Sequence, residues 1–162
     1  MPETTYMVGL KLYLPNIRPY FVLLMKRQRL QVDYEIDFEV FGIVSAFKDY
    51  KLAWNLNDRL HINLSRQSDL RLQFVDFELI VSNYLYQTEN TQVSLIKNRS
   101  HEMDGKEGAY FIPELIKMDY FLRIMDPEMG EKWMSALRAI PGVEYVNRID
   151  LDRLKSKENF IF

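Results

Sequence analysis

Two carboxylates stand close together in the segment YFIPELIKMDYFLRI, residues 110–124: Glu114 directly after Pro113, and Asp119 directly before Tyr120. Paired carboxylates can do acid/base chemistry when burial raises the pKa of one and leaves the other ionised. Read as one continuous strand, the segment alternates with period two. Ile112, Glu114, Ile116, Met118, Tyr120, Leu122 and Ile124 then share one face, and Pro113, Leu115, Lys117, Asp119, Phe121 and Arg123 share the other. The carboxylates would lie on opposite faces, roughly 17 Å apart at about 3.3 Å per residue. At that separation they cannot serve one reacting atom. Asp119 is expected on a solvated face near Lys117 and Arg123, where an exposed ion pair contributes about 0–1 kcal/mol. Glu114 is the exception on an otherwise apolar face. Proline lacks an amide and belongs at a strand's edge or first residue. A strand starting after Pro113 would leave Glu114 at the rim, as a structural residue or as a group holding backbone or a ligand.

Other chemistry has less support. His61 and His101 are the two histidines, and neither has a partner at helical ligand spacing that suggests zinc. No metal or cofactor site is expected. Neither GxGxxG nor GxxxxGK occurs, and no nucleophile elbow is present. The absence of cysteine removes disulfides, thiolate metal sites and a cysteine nucleophile. With 21 basic and 23 acidic side chains the chain carries no positive field for a phosphate backbone, so nucleic acid is not an expected partner. Tyr84, Tyr86, Tyr110, Tyr120, Phe121 and Tyr145 are expected mostly in the core, and any that are exposed suit a protein interface, where tyrosine is enriched.

These residues need elements to position them. In DFEVFGIVSAFKDYKLAWNLNDRL, from Asp37 to about Leu60, Val40, Ile43, Val44, Phe47, Tyr50 and Trp54 recur at helical spacing. Leu52, Leu56 and Leu60 form a second row. The pattern predicts one long core helix capped by Asp33 or Asp37, with Gly42 inside it at about 1 kcal/mol relative to Ala. HINLSRQSDLRL reads as loop and short extended structure. FELIVSNYLYQTE and TQVSLIKN read as an antiparallel hairpin, and RSHEMDGKEGA as a loop. DPEMGEKWMSALRAIPG predicts a helix with Asp126 as N-cap, Pro127 at its first position and Pro141–Gly142 ending it. VEYVNRI is a last strand, and DLDRLKSKENFIF a short capped helix. The expected fold is α+β in two layers. It has a mainly antiparallel sheet of about four strands, with a long N-terminal helix and a second helix packed on one face.

The string IPELIKMDY, residues 112–120, resembles the signature of the bacterial IPExxxVDY family. It matches at Ile112, Pro113, Glu114, Asp119 and Tyr120 and has Met118 where the signature has valine, a swap that keeps an apolar side chain. The ending KSKENFIF and the segment DYKLAW look similar to the same family. The family has no established activity. The resemblance therefore implies a single domain from about residue 25 to residue 162 and no catalytic residues. It also suggests that the domain starts near MKRQRLQVDYEIDF, with residues 1–24 a peripheral or non-native extension.

The last three residues, Phe160, Ile161 and Phe162, form an apolar tail, and burying one such side chain gains roughly 1.5–3 kcal/mol. They are expected to dock on the domain's own sheet or helix, or else on a partner or second copy. No run of about 18 apolar residues is present to span a membrane, and the opening residues lack the features of a signal peptide, so the expected location is the cytoplasm. The reading that follows is a non-catalytic module that binds a protein or itself. The alternatives are a small-ligand sensor with a pocket between the long helix and the sheet near Glu114, and, more weakly, a carboxylate-dependent hydrolase or isomerase.

Overall fold

The apolar run EVFGIVS forms a strand and not the first half of a helix. In the computed structural model, which describes residues 36–74, 76–101, 108–126 and 130–162, β1 spans Glu39–Ser45 and the helix that follows, α1, spans only Asp49–Leu60. The long helix expected over 37–60 is therefore corrected. Val40, Phe41 and Ile43 are all buried, on two different faces of one strand. A strand covered on both sides loses the in/out alternation that marks strands in sequence, and its apolar spacing mimics a helical stripe. Helix α1 buries Leu52, Ala53 and Leu56, while Tyr50 and Trp54, expected inside, are 62% and 67% exposed.

The remaining strands are β2 (Ser65–Arg66), β3 (Leu70–Gln73), β4 (Glu78–Val81), β5 (Asn83–Gln87), β6 (Gln92–Lys97), β7 (Tyr120–Met125) and β8 (Val143–Arg148). The second helix, α2, spans Gly130–Arg138. Six strands make an antiparallel sheet in the order β2-β5-β6-β7-β1-β8, and β3 pairs with β4 in a separate two-stranded sheet. The expectation of about four strands is thus corrected to six plus two. The run FELIVSNYLYQ, expected as one strand, divides at Ser82 between the two sheets. Strands β7 and β8 both run antiparallel to β1, which lies between them, so α2 joins two parallel strands that are not neighbours.

Both faces of the large sheet are covered, which replaces the two-layer arrangement with three layers. On one face Phe41, Ile43, Val93, Leu95, Tyr120, Leu122, Ile124 and Val146 pack with Leu52 and Leu56 of α1 and Trp133 and Leu137 of α2. On the other, Phe38, Val40, Ile96 and Phe121 pack with Leu79 and Val81 of the small sheet, with Phe111 and Ile112, and with Leu151, Leu154 and Phe160 of the tail. The tail itself forms two short 3-10 turns, Leu151–Arg153 and Lys157–Phe160, in place of the expected helix. Residues 1–24, the Asp33 cap and the Pro127 helix start lie outside the described residues. Among the described residues no helix is long and apolar enough to cross a membrane.

Gly142, after α2, has φ 93°, and a Cβ there would lie 2.3 Å from Cζ of Phe47. An alanine meets both the left-handed backbone penalty and that ring. Gly142→Ala is expected to cost about 1–3 kcal/mol, read as a lowered denaturant midpoint with an unchanged slope.

Candidate functional site

Residues 110–119 are not a continuation of β7. Pro113–Leu115 is a 3-10 turn, as proline's fixed φ and missing amide favour at a first helical position, and the strand begins at Tyr120. The two-face assignment therefore holds only from Tyr120 onward. What shapes the turn is Asn98, just past the end of β6 and fully buried. Its side-chain amide donates to the carbonyls of Leu115 and Met118 at 2.9 and 2.8 Å, and its Oδ1 accepts from the Ile112 amide at 2.9 Å. Its backbone amide donates to the Asp119 carbonyl, and its own carbonyl accepts from the Phe111 amide. One buried side chain thus satisfies three backbone groups of a segment that has no ladder of its own, which a buried turn requires.

Each polar residue of the 112–120 signature then holds a distant stretch of backbone. Glu114 accepts from the amides of Lys155 and Ser156, at 2.7 and 2.9 Å, and from the Ser156 hydroxyl. Asp119 accepts from the Ser45 amide at 2.9 Å, at the end of β1 where the register with β8 shifts. It does not form the solvated ion pair expected with Lys117 and Arg123. The Tyr120 hydroxyl donates to the Phe47 carbonyl at 2.7 Å, in the corner between β1 and α1. Burial pushes that hydroxyl well above its ordinary pKa, and Asp49, Asp119 and Tyr84 add to the rise. It remains a protonated donor. Ile112 is fully buried, and Pro113 opens the turn. Glu114 fixes the tail and Asp119 fixes β1, so the two carboxylates converge on no common point.

Burial raises the Glu114 pKa, but hydrogen bonds from the Ser156 side chain and from the amides of Glu114, Ser156 and Lys155 outweigh it and hold the carboxyl below its ordinary value. A depressed folded-state pKa gives stability that is complete above the unfolded value, about 4.3, and is lost as pH falls through the folded value. Glu114→Gln should therefore be less stable than the parent by about 1 kcal/mol at neutral pH, a modest figure because the site is exposed. The gap should close in acid below about pH 4, and denaturant titrations across pH 2–7 would show it.

The tail is tied at two further points. Asn159 donates to the Phe111 carbonyl at 2.6 Å, and the ring of Phe160 meets Phe111 and Phe121 edge-on at 5.1 and 5.4 Å between centroids. Phe160 is fully buried, while Ile161 and Phe162 are 36% and 46% exposed.

Arg123, assigned from sequence to a polar strand face, is 6% exposed and points into the tail-covered core. Its guanidinium lies 4.4 Å from the Phe38 ring centroid and 5.1 Å from that of Phe162. Burial lowers its pKa and Asp37 partly offsets this. Its Nε and Nη1 have no hydrogen-bond partner among the described residues, and neither does the hydroxyl of buried Ser94, its cross-strand neighbour on β6. Sequence reading missed Asn98 because it closes the strand run TQVSLIKN with no local signal of its own, and its partners lie well downstream. It missed Arg123's burial because only the fold shows what covers that face.

Among the described residues no cluster of three or more histidines and carboxylates could hold a metal ion. No protein-family model and no curated protein matches the chain.

Proposed function

We propose that this chain is a non-catalytic, IPExxxVDY-like module that works by binding a protein, itself included. The family assignment is supported by the five signature residues at 112–120. The non-catalytic reading is supported by one observation above all: Glu114, Asp119 and Tyr120 are each occupied by backbone groups of distant segments. A binding role is supported by the aromatic side chains left outside. Tyr50 and Trp54 stand one helical turn apart on α1 and are both mostly exposed. Side chains four apart on a helix share a face, and large aromatics are the residues that anchor interfaces.

The test is retention of protein from a bacterial lysate by the immobilised full chain, compared with a Tyr50→Ser/Trp54→Ser variant. These positions are exposed, so the variant should fold. The expected result is a protein held by the parent and released by the variant. A parent that retains nothing and does not self-associate overturns the reading.

The small-ligand alternative has an observation in its favour, but not at Glu114. That residue sits with the tail, whereas α1 packs on the opposite face of the sheet. The unpartnered Nε and Nη1 of Arg123, beside the Ser94 hydroxyl, suit a small carboxylate or phosphate. A melting-temperature rise with acetate or phosphate in the parent, absent in Arg123→Met, supports this alternative. No rise in the parent counts against it.

A further inference from the structure

We propose that Phe162 is a displaceable cover over a binding site for a small monocarboxylate with an apolar body, and that Arg123 is the group that holds the carboxylate. The inference rests on the small-ligand reading of Arg123 above and names the ligand class and the gate. Arg123 stands in a row across the sheet, between Val40 of β1 and Ser94 of β6. Cross-strand partners share a face, and Val40 places this one among the side chains that the small sheet and the tail cover. Arg123 is 6% exposed and Ser94 is fully buried. Neither Nε nor Nη1 of the guanidinium, nor the Ser94 hydroxyl, has a hydrogen-bond partner among the described residues.

A guanidinium only donates, so what this one needs is an acceptor. A carboxylate supplies acceptors on two oxygens and the opposite charge, and charge-assisted hydrogen bonds are the strong ones. The Ser94 hydroxyl, across the strand pair, is a further donor. The surroundings select among anions. Val40, Phe121 and Phe160 are buried on this face, and the Phe38 ring lies 4.4 Å from the guanidinium. A buried charge is costly unless it is paired. Arg123 pairs one negative charge, and Asp37 already acts on it. Inorganic phosphate carries more than one charge near neutral pH, and the excess would face aromatic rings. A monocarboxylate is neutralised, and its hydrocarbon part gains from the apolar surroundings.

The way in is past Phe162. Its ring lies 5.1 Å from the guanidinium and is 46% exposed. The tail's anchor is the buried Phe160, met edge-on by Phe111 and Phe121. Beyond that anchor, among the described residues, one backbone hydrogen bond holds the tail, from the Ile161 amide back to the Glu158 carbonyl. Phe162 can therefore swing aside while Phe160 stays in place, which uncovers the guanidinium without unfolding the tail. A cover that must first be displaced lowers the apparent affinity by the fraction of time it is open, so removing it strengthens binding.

The test is titration of the full chain with acetate, butyrate and phosphate at constant ionic strength, followed by the NMR shifts of the Ser94 and Arg123 amides. Parent, Phe162→Ala and Arg123→Met are compared, with circular dichroism to confirm folding. Arg123→Met puts an apolar side chain where a buried cation stood and should fold. Butyrate is expected to bind about tenfold tighter than acetate, and phosphate to give no saturable response. Phe162→Ala should tighten both carboxylates about tenfold, and Arg123→Met should lose both. Carboxylate binding that needs Arg123 but is unchanged or weaker in Phe162→Ala overturns the cover, while the anion reading stands. Phosphate bound as tightly as butyrate overturns the ligand class and again leaves that reading intact. No Arg123-dependent response to any of the three, in parent or Phe162→Ala, overturns both.

Discussion

Asn98→Ala is expected to lower stability by about 3–5 kcal/mol, the largest effect of any polar substitution among the described residues. The alanine leaves the Ile112 amide and the Leu115 and Met118 carbonyls without their partner. The site is fully buried, and each buried group left unsatisfied costs about 1–3 kcal/mol. The turn can relax toward solvent and recover part of that loss, which keeps the total below the simple sum. Asn98→Asp should do little better, because a carboxylate cannot donate to the two carbonyls and its charge would be buried. Chemical denaturation of the parent and both variants checks this. An Asn98→Ala protein within 1 kcal/mol of the parent would mean that the turn is held by apolar packing and not by the amide.

Phe160→Ala should cost a comparable amount, about 3–5 kcal/mol, as large-to-small changes at a buried phenylalanine do. The ring is fully buried against Phe111 and Phe121, and its loss opens a cavity in the face of the sheet opposite the helices. For a chain of this size each kcal/mol lowers the melting temperature by about 2–4 °C, so a fall of roughly 10 °C is expected. Removing only Ile161 and Phe162 should cost far less, since both are partly exposed. The contrast locates the tail's anchor in one residue. Equal effects from the two changes would show instead that Phe162, stacked on Arg123, carries the docking.

The parts of this structure that were legible in sequence are those whose pattern is local. The β5–β6 hairpin is announced by two β-branched and aromatic runs around a polar turn, and the end of α2 by Pro141–Gly142. β1 was not legible, because burial on both faces removes alternation from EVFGIVS. The split at Ser82 was not legible either, since no proline or glycine interrupts FELIVSNYLYQ and the division comes from which strand each half pairs with. In the signature itself the residues were visible and their roles were not. Glu114 and Asp119 were read as lying apart on the premise of an extended strand, which the structure replaces with a turn. The turn that replaces that strand depends on Asn98, and the carboxylates' partners, Ser156 and Ser45, are 42 and 74 residues away. Tyr50 and Trp54 fit the helical period and were read as core. They lie outside because the helix is shorter than expected and buries the Leu52–Leu56 side.

The central claim is that the 112–120 signature is a clasp whose polar side chains hold distant backbone, with Glu114 gripping the tail. Residue-resolved amide hydrogen exchange in the parent and in Glu114→Ala tests it most directly. The clasp predicts that protection at the Lys155 and Ser156 amides falls tenfold or more, about 1.4 kcal/mol, while the amides of β6 and β7 keep theirs. Unchanged protection at those two amides would contradict it.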